Sequence, residues 1–441
     1  MSQYNYLKLP TDDSIRLVRV HESSIDTARI ECSITIRKIS DVGPEYTAVS
    51  YTWGQKFPRL PVFFPEQLSS KLDITLNCYS ILQRLRQQKR FDWLWIDSIS
   101  INQEDVTERS AQVRIMDRIY SSASEVLADL GEETQGSRLL FEHLAKTEQS
   151  KELQTLERAT RNEEELCECC RYNELPLEPR HVEQLHELLL RPWFQRIWVI
   201  QEAVMGKRHN SVKFWCGSNT TSYEVLSACV YGFESYRVTK STAPYIFDGD
   251  IDWAGHPIMM FWRHLINTRD NVSSDPRDRV YALLSLAKNG SSSLELKVDY
   301  AKSVEEVFVE AALLLLSHIG LRLLGAARHS HKLDMSSWIP DWSQSLPINS
   351  TGLLFWNQLG CTAADSLSPR YAVLKVRGAI LSEICTLGKT FNFTGLEHAR
   401  GDLARMLKYL GAPQISSRYQ MDTEYIPEPI GRCESVSNLY C

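Results

Sequence analysis

The chain predicts an α/β fold with a parallel sheet, followed by a mainly helical region. Two patterns and the composition predict it. The short apolar runs YTAVSYTWG (46–54), FDWLWID (91–97) and SEVLADLG (124–131) alternate with stretches of helical spacing, which is how a parallel sheet with crossover helices reads in sequence. Beyond Gly217 the apolar period is helical almost throughout. The 441 residues are 43% hydrophobic and 24% charged, enough apolar material for two or three domains with substantial cores.

In order along the chain, SIRLVRV (14–20) and ECSITIRKI (31–39) alternate with period two and read as two strands before Gly43 and Pro44. The run at 46–54 is stopped by glycine, a helix is expected over 79–87, and 91–97 is the next strand. In 105–123, Val113, Met116, Ile119 and Tyr120 fall at helical spacing, and 124–131 reads as the following strand. The acidic, irregular stretch near 132–179, with its run RNEEELCECC, reads as an insertion of solvated helices. Further helices are expected in HPIMMFWRHLINTR (256–269), DPRDRVYALLSLA (275–287) and SVEEVFVEAALLLLSHI (303–319), and a strand in YAVLKVRGAIL (371–381). The chain therefore divides into a β lead-in (1–45), a domain at 46–217 that carries the acidic insertion, a mainly helical region (218–345) and a mixed C-terminal region (346–441).

A net charge of -6 and a pI near 6.0 give no general attraction for nucleic acid or anionic membranes, so neither is an expected partner. The first residues lack a signal peptide's basic and apolar regions, and the longest aliphatic run, AALLLL (311–316), is too short to span a bilayer. The 11 cysteines are odd in number and lack a regular frame, which fits reduced thiols used as small core residues in a cytosolic or nuclear compartment, and a cytoplasmic protein is expected.

Glu202 is the residue to explain. RPWFQRIWVIQEAV (191–204) sets it in an apolar run, and a single helix with Pro192 in its first turn would put Gln195, Trp198 and Glu202 on one face. A carboxylate there is costly to bury unless something pairs with it or a ligand reaches it. The competing reading is a structural ion pair with Arg191 or Arg196. Asp97 stands at a strand end, where it either caps the next turn or meets a ligand. Trp53, Trp93, Trp95 and Trp198 are either core or stacking surfaces. Asp275 before Pro276 reads as a helix N-cap. Cys167, Cys169 and Cys170 with His181 and His186 fit no common zinc spacing, and no metal is expected. The nucleotide-binding and hydrolase signatures GxGxxG, GxxxxGK[ST], HExxH and GxSxG do not occur, and no resident cofactor is expected.

Taken in order, YTAVSYTWG, LWIDSISINQEDVTERSAQVRIMDRIYSSASEVLADLG (94–131) and RPWFQRIWVIQEAV resemble the three signature blocks of the fungal heterokaryon incompatibility (HET) domain. DPRDRVYALLSLA, VDYAKSVEEVF (298–308) and SSWIPDWS also resemble segments that accompany it. Ser100 stands where that family usually has cysteine, and Asp129 where it usually has tryptophan. The resemblance implies a remotely TIR-like, flavodoxin-like sheet, a role in fungal nonself recognition and regulated cell death, and an incompatibility partner protein. The TIR analogy further implies homo-oligomers and cleavage of NAD, as substrate, at the nicotinamide ribosyl bond, with Glu202 catalytic. Ligand contacts are then expected from Tyr51, Trp53, Gly54, Asp97, Gln103, Arg196 and Trp198. The chemistry suits a carboxylate, which stabilises an oxocarbenium-like ribose and accepts its hydroxyl protons in hydrogen bonds. The rival reading is a non-catalytic signalling or scaffold module that self-associates or recruits a partner; a third is an accessory protein of a metabolic pathway.

Overall fold

The alternation of short apolar runs becomes a seven-stranded, mostly parallel sheet in the computed structural model. The structure describes residues 2–23, 29–41, 45–66, 70–148, 179–209, 211–236, 245–247, 256–287, 294–327 and 333–344. The expected strand at 371–381, the region 346–441, residues 149–178 of the acidic insertion and the three cysteines within it lie outside these residues.

The strands are β1 (Ser14–Val20), β2 (Cys32–Lys38), β3 (Tyr46–Tyr51), β4 (Arg59–Phe64), β5 (Ser70–Thr75), β6 (Trp93–Ile96), β7 (Glu125–Asp129), β8 (Ser211–Cys216) and β9 (Asn219–Ser222). The sheet runs β2, β1, β6, β3, β7, β8, β9. Strands β6, β3, β7 and β8 are mutually parallel, while β1, β2 and β9 join antiparallel. By sequence the parallel four stand second, first, third, fourth, the order with which a flavodoxin-like sheet begins. The lead-in strands join this sheet directly, Val18 of β1 opposite Leu94 of β6. Strands β4 and β5 form a separate hairpin that the sequence did not announce, because Pro61 and the charged Lys71 and Asp73 interrupt its pattern.

The helices are α1 (Leu76–Gln87), the single turn α2 (Asp97–Ser100), α3 (Val106–Arg114), α4 (Met116–Ser122), α5 (Gln135–Glu148), α6 (Pro179–Leu189), the turn α7 (Pro192–Gln195), α8 (Trp198–His209), α9 (Tyr223–Tyr236), α10 (Pro257–Asn267), α11 (Asp278–Tyr281) and α12 (Val304–Ile319). Asp105 caps α3 by accepting from the backbone N–H of Thr107 and Glu108. Ser303 and Glu306 form a capping box on α12. Among the described residues no helix is long and apolar enough to cross a membrane.

All six residues of β3 are buried, because both faces of the sheet are covered. The two-residue alternation sorts them. Ala48 and Trp95 face a core that includes Ile119 and Tyr120 of α4 and Val199, Ile200 and Ala203 of α8. Val49, Tyr51, Leu94 and Ile96 face a second core with Ile81, Leu82 and Leu85 of α1 and Val62 and Phe64 of the hairpin. Buried within these cores are the free thiols Cys32, Cys78, Cys216 and Cys229.

Three expected helices differ. The one over 105–123 breaks at Ile115, next to Arg114, whose guanidinium Nε donates to the Val298 carbonyl from far along the chain. The one over 191–204 breaks at Arg196, which is extended with ψ 142° because the backbone here pairs with Val272. The one over 275–287 is helical for a single turn, α11.

Candidate functional site

The carboxyl ends of the parallel strands β3 and β6 open onto a cavity of about 450 Å³, a size suited to a small ligand. After β3 the chain turns at Gly54, whose φ of +75° disfavours any side chain, and a Cβ there would meet the Asn77 amide at 2.7 Å. Asn77 in turn donates to the Thr52 carbonyl at 2.8 Å, which holds the turn against α1. Trp53 thereby projects to the cavity rim, 36% exposed, and its indole N–H donates to Asp97 Oδ2 at 2.8 Å.

Asp97 follows β6 directly, as the first residue of α2. Its Oδ1 accepts from the Ser98 N–H at 2.7 Å, and the residue lines the cavity. Burial raises its pKa above the ordinary value, and the Arg196 guanidinium and the Trp53 indole oppose that rise. Gln103 lines the same wall and donates to the Asp97 carbonyl at 3.0 Å.

Glu202 is carried by α8, one turn beyond Trp198, and both line the cavity. The carboxyl is 2% exposed and faces Ser50, whose hydroxyl donates to Oε2. That hydroxyl accepts in turn from the indole N–H of buried Trp193 at 2.8 Å. The Tyr120 side chain also acts on this carboxyl and favours its ionised form. Burial pushes the Glu202 pKa up to about 7, against the opposing pull of Arg196 and the Ser50 hydrogen bond. The competing ion-pair reading does not describe this geometry. Arg191 donates to the carbonyls of Leu130 and Glu132, Arg196 donates to the Tyr51 carbonyl, and among the described residues no arginine lies within ion-pair distance of Glu202.

Two expectations are corrected here. Tyr51 does not reach the cavity: side chains alternate along β3, so with Ser50 turned toward Glu202, Tyr51 points through the opposite face, where its hydroxyl donates to Ser98 Oγ at 2.6 Å. Gln195 is exposed on the separate turn α7 and does not share the face of Trp198 and Glu202. Trp53, Gly54, Asp97, Gln103, Arg196, Trp198 and Glu202 all line the cavity, whereas Trp95 is core and Trp93 lies beneath the Arg19 guanidinium.

The sequence reading missed the far wall. Asp278, Tyr300 and Arg109 line it. The Tyr300 hydroxyl donates to Asp278 Oδ1 at 2.6 Å, and the Trp198 side chain is a second partner of that carboxyl. Arg109 stacks over the Tyr300 ring at 4.1 Å. Burial raises the Asp278 pKa to about 6. DPRD was the signal: the helix expected after Asp275 starts only at Asp278, with Arg277 at its N-cap, and Asp275 accepts from the Arg277 N–H and pairs with the Arg277 guanidinium, while Asp278 turns inward. Among the described residues no three His, Cys, Asp or Glu side chains are grouped to hold a metal ion.

The two departures from the family's usual residues are each accommodated. Ser100 is fully buried and its hydroxyl accepts from the Ile96 N–H, while Asp129 pairs with Arg84 at 2.6 Å, and the Arg84 guanidinium lies over Trp215.

Residues 46–202 match the family model described as Heterokaryon incompatibility protein (HET), a match whose last residue is Glu202 itself. Over 462 aligned positions the chain is 27% identical to heterokaryon incompatibility protein 6, OR allele, of Neurospora crassa, covering 89% of this chain and 66% of that relative. The chain thus spans about two thirds of the length of the curated relative it matches. No solved structure matches it. Three ordered sequence blocks, the matched segment and the likeness across most of the chain make this chain similar to heterokaryon incompatibility proteins, with the similarity to the HET domain at residues 46–202.

Proposed function

We propose that the protein acts in heterokaryon incompatibility, as a fungal nonself-recognition factor that triggers regulated cell death, and that it does so by hydrolysing NAD at the nicotinamide ribosyl bond. The observation that carries the reading is the Glu202 carboxyl, buried yet facing a cavity that Trp53 and Trp198 flank. Breaking an N-glycosidic bond builds positive charge on the ribose, and a desolvated carboxylate beside it stabilises that charge more strongly than one in water. Ser50 and Tyr120 fix the carboxyl, so it needs no reorganisation as charge develops. The tryptophans offer flat faces to a base or a nicotinamide ring. Arg196, which lines the same cavity, offers a cation to a phosphate. The protein works in the cytoplasm as a homo-oligomer and answers to an incompatibility partner.

Purified full-length protein, concentrated to favour assembly, is expected to release nicotinamide from NAD, and Glu202→Ala to lower kcat by about 10²-fold or more. Because ionised Glu202 is the working form, the rate should rise as pH climbs through about 7. An assembled wild-type sample that releases no nicotinamide sinks the enzymatic reading.

A second reading, a non-catalytic module that self-associates or recruits a partner, is favoured by exposed apolar side chains along the turn beyond β3 and at the start of α1. Phe57 is 67% exposed and Leu76, beside Asn77, is 47% exposed. Under that reading Phe57→Asp abolishes association and cell killing, while Glu202→Ala leaves both unchanged.

A further inference from the structure

We propose that Asp278, supplied from beyond the segment that matches the HET family, is the second carboxyl of the reaction and the base that takes a proton from the attacking water. This rests on the N-glycoside reading of the cavity. Glu202 and Asp278 line one cavity and share a neighbour: Trp198 sits one helical turn before Glu202, and its side chain acts on the Asp278 carboxyl. Each carboxyl is held in the same manner, by one tyrosine and one further partner. For Glu202 these are Tyr120 and Ser50; for Asp278 they are Tyr300 and Trp198. Two preset carboxyls facing one cavity allow the division of labour that glycoside hydrolysis requires, one for the cationic sugar and one for water.

The charged and titratable groups that face Asp278 include Arg109 of α3, Asp275 of the preceding turn, Arg279 of α11 and Tyr300, whose ring also lies under Arg277. Burial keeps the Asp278 carboxyl at about 6, so at neutral pH it is mainly ionised and still basic enough to accept a proton. Glu202, at about 7, is the carboxyl left for the sugar's charge. In the step itself the bond between ribose C1′ and the pyridinium nitrogen breaks, and its electron pair goes to that nitrogen, which leaves as neutral nicotinamide. A water oxygen bonds to C1′, and one of its protons passes to the Asp278 carboxylate and on to solvent, leaving ADP-ribose. No oxidant or further reactant is consumed.

The test compares nicotinamide release by full-length wild type, Asp278→Asn and Tyr300→Phe across pH 5 to 9, with circular dichroism of each. In wild type, log kcat should climb with a slope of about two at pH values where both acids titrate, and of about one once only Glu202 does. Asp278→Asn should lower kcat by about 10²–10³-fold with KM within about threefold, and should lose the lower limb while keeping the limb near 7. Tyr300→Phe removes a hydrogen bond that favours the ionised carboxyl and should move the lower limb to higher pH. Should Asp278→Asn fail to fold, the Tyr300→Phe profile decides: a displaced limb supports the base and an unmoved one overturns it. If wild type and folded Asp278→Asn release nicotinamide equally, Asp278 has no such role and the NAD reading stands; if wild type releases none, both fall.

Discussion

At the scale of the residue, the candidate site is held at the expense of stability, and Glu202 shows it most clearly. Its folded pKa of about 7 lies above the ordinary 4.5, so as pH rises the unfolded chain ionises it first. Its contribution is therefore complete below about 4.5 and falls away as pH climbs through about 7. Glu202→Gln keeps the shape and removes the buried charge. Urea unfolding of this variant should match wild type near pH 4 and exceed it by roughly 3 kcal/mol near pH 8. Equal stability of the two at pH 8 would mean that the carboxyl is better solvated than its surroundings imply. Glu202 itself was legible in the sequence, as an acid inside an apolar run. Tyr51 was misread because a motif names neighbours without saying which side of the sheet each faces, and Asp278 was hidden behind Asp275, which satisfied the pattern of a cap.

Among the elements, α8 carries the site, and one glycine sets its distance from the sheet. A Cβ on Gly206 would meet Val126 at 2.6 Å and Val212 at 2.9 Å, on the inward faces of β7 and β8. The helix can rest this close only because that side chain is missing. Gly206→Ala gains helix propensity but must push α8 away, and overpacking of this kind costs about 1–3 kcal/mol. The expected result is a lower thermal midpoint together with weaker nicotinamide release, since Glu202 moves with the helix. The central strands and α1 were readable because each is set by its own neighbours in sequence. The breaks at Ile115 and Arg196 were not, since the groups that meet the chain there, Val298 and Val272, come from far downstream. Local periodicity runs straight through both places.

For the molecule as a whole, the cavity belongs to no single segment of the chain. Its near wall comes from the turns after β3 and β6, Arg196 and α8, and its far wall from Arg109, residues 272–275, Asp278 and Tyr300. The Tyr300 N–H donates to buried Ser110 Oγ, and Arg277 donates to the carbonyls of Tyr300 and Lys302, so the far wall is fastened both to α3 and to itself. A parallel sheet was predictable from the order of apolar runs, but a wall built by residues about a hundred positions away left only scattered motifs. The thiols sealed in the two cores supply a clock for this assembly. Burial pushes Cys78 and Cys229 up to about 12 and raises Cys32 and Cys216, so in the folded chain almost none is thiolate near neutrality. Iodoacetamide should therefore spare all four in the native protein and modify them together once denaturant opens both cores, as peptide-resolved mass spectrometry can follow. Early alkylation of Cys78 alone would show instead that the layer beneath α1 breathes independently of the rest.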